Sequence, residues 1–267
     1  MTALLDAVAA GVTIHDLSQP FEEGMPCAPN HPGFRLALLR RHGDVVRADG
    51  GSSAGELIVT GGHVGTHVDA LSHISQDGLL HGGHDAAEAQ SGGRFRVHGA
   101  ETIPPLVRRG VLLDVASAHE VDVLPGGYGV TADDLERCLR RTGVRLAEGD
   151  VALVRTGWAR HWSDPAAYLG LDTGVPGVDP SGAAWLAEHG VALTGADTTA
   201  YEQIPPGAGF RVLPVHRLLL VEAGIYIVEH LRLDSLAEAG VSEFLFVLAP
   251  LPIVGGTGSP VRPLAVV

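Results

Sequence analysis

The sequence predicts an α+β domain, α/β mixed in its element order, built on a central mixed sheet. Three observations carry that expectation. Six short runs rich in Val, Ile and Leu, bounded by Gly, Pro or Asp, have the composition of strands: 56–60, 110–116, 150–157, 191–195, 225–231 and 243–250. Amphipathic helical stretches lie among them. No internal repeat, low-complexity tract or Pro-, Ser- and Gly-rich linker divides the 267 residues, so 1–267 reads as one domain with a large core.

Each element has a local reason. The run from Val111 to Val115, apolar at every position but Asp114, marks a strand covered on both faces. In "TADDLERCLRRTG", Thr131 is an N-cap, Asp133 and Asp134 fill the first turn, Arg140 and Arg141 the last, and Gly143 is the stop. "DPSGAAWLAEHG" starts with Asp179 before Pro180 and ends at Gly190, and "PVHRLLLVEAG" runs from Pro214 to Gly224.

Composition excludes several functions. A net charge of -13 disfavours a nucleic-acid backbone or an anionic membrane surface as partner. All 18 basic residues are arginine, so neither Schiff-base chemistry nor a P-loop lysine is available. No G-x-S-x-G elbow is present for a serine hydrolase. Cys27 and Cys138 have no metal or disulfide spacing, which suggests a reducing compartment. The first residues make a poor signal peptide, and no apolar run reaches the roughly 18 residues of a membrane span. A soluble, cytoplasmic protein is expected.

The chemistry concentrates in "GGHVGTHVDALSHISQDGLLHGGH", residues 61–84. His63, His67, Asp69 and His73 are separated by four, two and four residues, so an extended segment would place all four on one face. Gly61, Gly62 and Gly65 argue against a helix. Imidazoles and a carboxylate without thiolates suit Zn²⁺ or Mn²⁺ in a catalytic rather than a structural site. A solvated His-rich loop is the bland alternative, and the shared parity of four residues weighs against it. Thr66 is a candidate donor to a ligand and Asp197 a candidate acceptor or turn former. His81 and His84 either edge a pocket or belong to a surface loop. His15, His31, His42, His98, His119, His161, His189 and His230 are assigned to structure or surface. Met25, Phe34 and Trp158 are candidates for a pocket lining.

"HVGTHVDALSH" resembles the H-x-G-T-H-x-D-x-P-x-H signature of the metal-dependent cyclase family, which includes bacterial kynurenine formamidases, isatin hydrolases and polyketide cyclase-like proteins. Leu71 stands where that signature has Pro. The likeness extends to "TIHDLSQPFEEGMPCAPNHP" (13–32), "GVLLDVA", "GDVALVRTGW", "VALTGADTTA" and "VHRLLLVEAGIYIVEHL". The resemblance implies a swivelling β/β/α architecture. It makes His63, His67 and Asp69 metal ligands, has His216 and Glu229 completing the site or holding a second ion, and makes His73 the acid/base histidine. On residues alone, His216 reads as an ordinary helix-start histidine, while a carboxylate such as Glu229 at the end of "IYIV" needs a partner. One or two Zn²⁺ or Mn²⁺ ions, a small-molecule substrate and a homodimer or homotetramer follow from the likeness, with residues 20–34 as subunit contact.

The expected reaction is hydrolysis of a small amide or lactam by metal-activated water, with His73 moving a proton to the leaving group. A metal-assisted cyclase or lactone hydrolase of secondary metabolism would use the same residues. A non-catalytic metal-binding protein would show a damaged site, and all six residues are present.

Overall fold

The computed structural model describes residues 2–267. In chain order its main strands are β1 (Ile14–Asp16), β2 (Arg35–Arg40), β3 (Gly55–Val59), β4 (His67–Asp69), β5 (Leu106–Asp114) and β6 (Val151–Arg155). They continue with β7 (Leu193–Ala196), β8 (Tyr226–Glu229), β9 (Glu243–Leu248), β10 (Gly258–Pro260) and β11 (Leu264–Val266). Nine of them form one mixed sheet in the order β1-β11-β9-β5-β6-β7-β8-β4-β10. Its centre, β5 to β8, is parallel, and every other pairing is antiparallel.

The parallel centre is where the uninterrupted apolar runs fall. Strand alternation sends Val111, Leu113, Ala152 and Val154 to one face and Leu112, Val151 and Leu153 to the other, and all seven are buried. On the first face lie two helices, α2 (Ala132–Thr142) and α3 (Pro180–Glu188), whose Leu135, Cys138, Ala183 and Leu186 complete that core. The second face packs Val228, Leu231, Leu236, Phe244 and Phe246. The helix ends are where the sequence places them. Thr131 and Asp134 form a reciprocal capping box, Asp179 caps α3, and Gly143 closes α2 with φ +73°.

Three features differ from the sequence reading. The strand expected over 110–116 starts at Leu106 and stops at Asp114, whose side chain caps a short helix, Val115–Ala118. The helix expected over 214–224 is α-helical only over Pro214–His216 and then π-helical over Arg217–Ala223. A helix at Thr2–Ala10 and the short strands β1, β10 and β11 carry too little periodicity to be anticipated. The strand expected over 56–60 forms as β3, but it pairs with the unanticipated β2 in a separate hairpin whose Leu36, Leu38, Leu57, Ile58 and Val59 are exposed. No described helix is long and apolar enough to cross a membrane.

Candidate metal centre

β4 is only three residues long and is clamped on both sides. Glu229 of β8 pairs across from His67, and Gly258 of β10 pairs across from Asp69. Alternation along β4 therefore turns Val68 into the core and His67 and Asp69 to the opposite face, beside Glu229. His63 and His73 reach the same place by another route than the shared parity predicts. His63 sits in the turn before β4 and His73 in the turn after it, outside the strand. The first turn depends on Gly65, at φ +66°, where a Cβ would stand 2.6 Å from Phe21 Cζ. The turn folds His63 back so that its Nδ1 lies 2.7 Å from Asp69 Oδ1 and its ring stacks on His73 with centroids 3.8 Å apart. His216 comes from the short helix 214–216, its Nε2 3.2 Å from Glu229 Oε1 and 3.6 Å from Asp69 Oδ2.

Hydrogen bonds on the far side of each ring set its tautomer. His67 Nδ1 donates to the Gly65 carbonyl at 2.7 Å, which turns Nε2 toward Asp69 Oδ1 (3.4 Å) and Glu229 Oε2 (3.7 Å). His216 Nδ1 donates to Glu202 Oε1 at 2.7 Å, and Glu202 also accepts the backbone N–H groups of Val215 and His216. Glu202 thus fixes both the imidazole and the first turn that carries it. Thr66, a candidate donor to a ligand, instead bonds the His230 carbonyl and the Gln19 N–H.

The electrostatics follow from burial and crowding. Burial would raise the Asp69 carboxyl, but the surrounding His73, His216 and His63 hold it well below its ordinary value. Burial likewise opposes ionisation of Glu229, and the His216 hydrogen bond outweighs it. Burial works against charge on His216, yet the nearby Asp69 carboxylate and the bonds to Glu202 and Glu229 push it well above the usual histidine range. His73 has no such hydrogen bond, and burial pushes it down to about 3. His230 also falls to about 3 through burial and the neighbouring His67.

His63, His67, His73, His216 and Glu229 line one cavity of about 180 Å³. Two more histidines share it, His31 and His230, both assigned to structure or surface by the sequence reading. His31 lies within the Pro-rich loop and His230 directly follows Glu229, which is the signal that could have singled out the latter. The other expectations shift. His81 bonds the Val221 carbonyl and packs on His98, while His84 is exposed against the same His98. Asp197 accepts the Thr156 and Gly157 N–H groups and the Thr156 hydroxyl, so it clamps the end of β6 rather than a ligand. Met25, Phe34 and Trp158 form an apolar cluster behind the cavity, and Ile74, Phe210 and Leu213 line it instead.

The donor set fits a divalent cation. Asp69 Oδ2 is buried with no hydrogen-bond partner among the described residues, an arrangement that is costly unless a cation satisfies it. Three overlapping groups place potential ligand atoms within 4.8 Å of one another: His63, Asp69 and His73; Asp69, His216 and Glu229; and His67, Glu229 and His230. Nitrogen and carboxylate oxygen without sulfur match metals such as Zn²⁺ or Mn²⁺.

Known proteins resemble this chain in sequence and fold. An isatin hydrolase of Roseibium aggregatum is 28% identical over 224 residues, 82% of this chain and 77% of the relative. A kynurenine formamidase of Geobacillus thermodenitrificans is 25% identical over 251 residues, 92% of this chain and 94% of the relative. A crystal structure described as a novel cyclase superposes with a TM-score of 0.85 at 28% identity, over 99% of this chain and 93% of that one. Isatin hydrolase A from Ralstonia solanacearum gives 0.77 at 27% identity, over 100% and 96%. The family model described as "Putative cyclase" matches residues 15–203. With that match spanning most of its length, the chain belongs to the cyclase family.

Proposed function

We propose that this protein is a metal-dependent hydrolase that cleaves the carbon–nitrogen bond of a small amide or lactam with an activated water. One observation carries the reading. Three imidazoles and two carboxylates from distant parts of the chain meet beneath one cavity, with the Asp69 Oδ2 atom left for a cation. The names of the relatives, isatin hydrolase and kynurenine formamidase, point to the same bond type. His63, His67, Asp69, His216 and Glu229 would hold one or two ions, Zn²⁺ or Mn²⁺ by their donor chemistry. When bound, such an ion supplies Lewis acidity, lowering the pKa of a water and polarising a carbonyl oxygen.

The chain's own residues supply the rest. His73, stacked in place on His63 and without a side-chain hydrogen bond among the described residues, would take a proton from the attacking water and return it to the leaving nitrogen. Amide cleavage needs that second transfer because an unprotonated amine leaves poorly. The cavity has about 180 Å³, and an apolar cavity of about 150 Å³ holds a benzene ring. Ile74, Phe210 and Leu213 offer a ring an apolar wall. A compact aryl or cyclic amide is the substrate class that fits.

The exposed apolar hairpin β2–β3 supports a homodimer or homotetramer, with residues 20–34 at its root. Two free cysteines, Cys27 and Cys138, suit a cytoplasmic location.

The test measures metal content and turnover on one preparation, with N-formylkynurenine, isatin and simple lactones as the panel. His63→Ala should lose metal and activity together, and His73→Ala should lose activity with metal retained. Wild-type protein that binds neither Zn²⁺ nor Mn²⁺ after supplementation would sink the reading.

A further inference from the structure

We propose that His230 is a metal ligand, forming with His67 and Glu229 a further cation position on the cavity wall. The inference rests on the metal-dependent reading above and adds a residue to it.

The backbone is built to bring His230 to this place. In a continuing strand, Glu229 and His230 would point to opposite faces. Here the chain turns at His230, whose φ is +57°, a left-handed conformation that non-glycine residues adopt rarely and that gathers at functional sites. Two bonds impose it: the His230 N–H donates to the Thr198 carbonyl at 3.1 Å, and its carbonyl accepts the Thr66 hydroxyl at 2.7 Å. Consecutive side chains thereby enter one cavity.

The protons then decide what the ring offers. The Tyr168 hydroxyl donates its single proton to the buried Asp197 carbonyl at 3.3 Å. Its oxygen, 3.1 Å from His230 Nδ1, is left to accept, so Nδ1 carries the proton and Nε2 a lone pair. Nε2 makes no hydrogen bond among the described residues, and His230 is only 4% exposed. Tyr168 and Trp162 hold the ring from two sides, at centroid distances of 5.5 and 5.7 Å. His67 likewise commits its Nδ1 proton to the Gly65 carbonyl, which turns its Nε2 toward Asp69 and Glu229. Glu229 Oε2 lies 3.7 Å from His67 Nε2 and 3.9 Å from His230 Nε2. The two Nε2 atoms and Glu229 Oε2, which also accepts the Ala200 N–H at 3.0 Å, thus lie within 4.8 Å of one another, and two imidazoles with a carboxylate suit a borderline divalent cation.

Cobalt reports this directly. Chelator-stripped protein is titrated with Co²⁺, following visible absorption and ions bound per chain, in wild type, His230→Asn and His230→Gln. Asn tolerates the left-handed backbone best, and Gln serves as the second variant should the first fold poorly by circular dichroism. The expected result is a changed cobalt spectrum, with either one ion fewer per chain or at least a tenfold weaker constant for one ion. Wild type that binds cobalt and turns over, beside variants with identical stoichiometry, constants and spectrum, would overturn the His230 assignment alone. Wild type that binds no metal would overturn the hydrolase reading together with it.

Discussion

Gly258 is the position where a single methyl group should separate catalysis from folding. It lies directly across from Asp69 in the β10–β4 pairing, and a Cβ there would stand 2.6 Å from His63 Cε1 and 3.0 Å from Nδ1. Ordinary contact begins near 3.4 Å, so in Gly258→Ala the His63 ring must retreat by about 0.8 Å. It has little room to do so. Nδ1 is bonded to Asp69 at 2.7 Å, Nε2 to Thr257 at 2.9 Å, and the ring is stacked on His73. A misplacement of about 1 Å in a reacting constellation can cost on the order of 10²-fold in rate. Gly258 φ is not in the left-handed region, so alanine adds no backbone strain there. The expected outcome is a kcat lower by about two orders of magnitude, weakened metal binding and a melting temperature changed by no more than a few degrees. Steady-state kinetics, metal analysis and thermal melts on one preparation would check it. Wild-type kcat and metal content in Gly258→Ala would show that His63 need not hold this position, and the argument would fail.

Removing metal with a chelator should lower the melting temperature and abolish turnover, because an ion bound only by the folded state stabilises it by mass action; a melt unmoved by chelation and by Zn²⁺ or Mn²⁺ would contradict this. Burial pushes the Asp197 carboxyl up to about 6, against the hydrogen bonds from Thr156 that favour its charged form. A raised folded-state value stabilises fully below the ordinary value of 3.8 and is lost as pH rises through about 6, amounting to on the order of 2–3 kcal/mol. Urea unfolding from pH 4 to 7 should show that fall, and Asp197→Asn should flatten it. Leu153, fully buried at the centre of the sheet, should cost about 2–5 kcal/mol as Leu153→Ala, read by the same unfolding curves. A loss under about 1 kcal/mol would mean the core closes over the gap.

The parts of this protein legible in its sequence are those that local chemistry decides. Thr131 and Asp134 cap the helix they begin, and the apolar run at 111–113 is buried on both sides. The spacing in "HVGTHVD" likewise marks a candidate metal-binding segment, because imidazoles and a carboxylate cluster there on a glycine-rich backbone. Tertiary structure decided what lies opposite that segment. Glu229 meets His67 only because β8 pairs antiparallel with β4 across more than 150 residues of chain. Glu202 reaches His216 through a buried bond, and His230 enters the cavity through a backbone turn held by Thr66 and Thr198. No periodicity encodes such contacts, since each depends on where two distant segments come to rest once the sheet has formed. Sequence alone thus determined the kind of chemistry, and packing decided which side chains surround it.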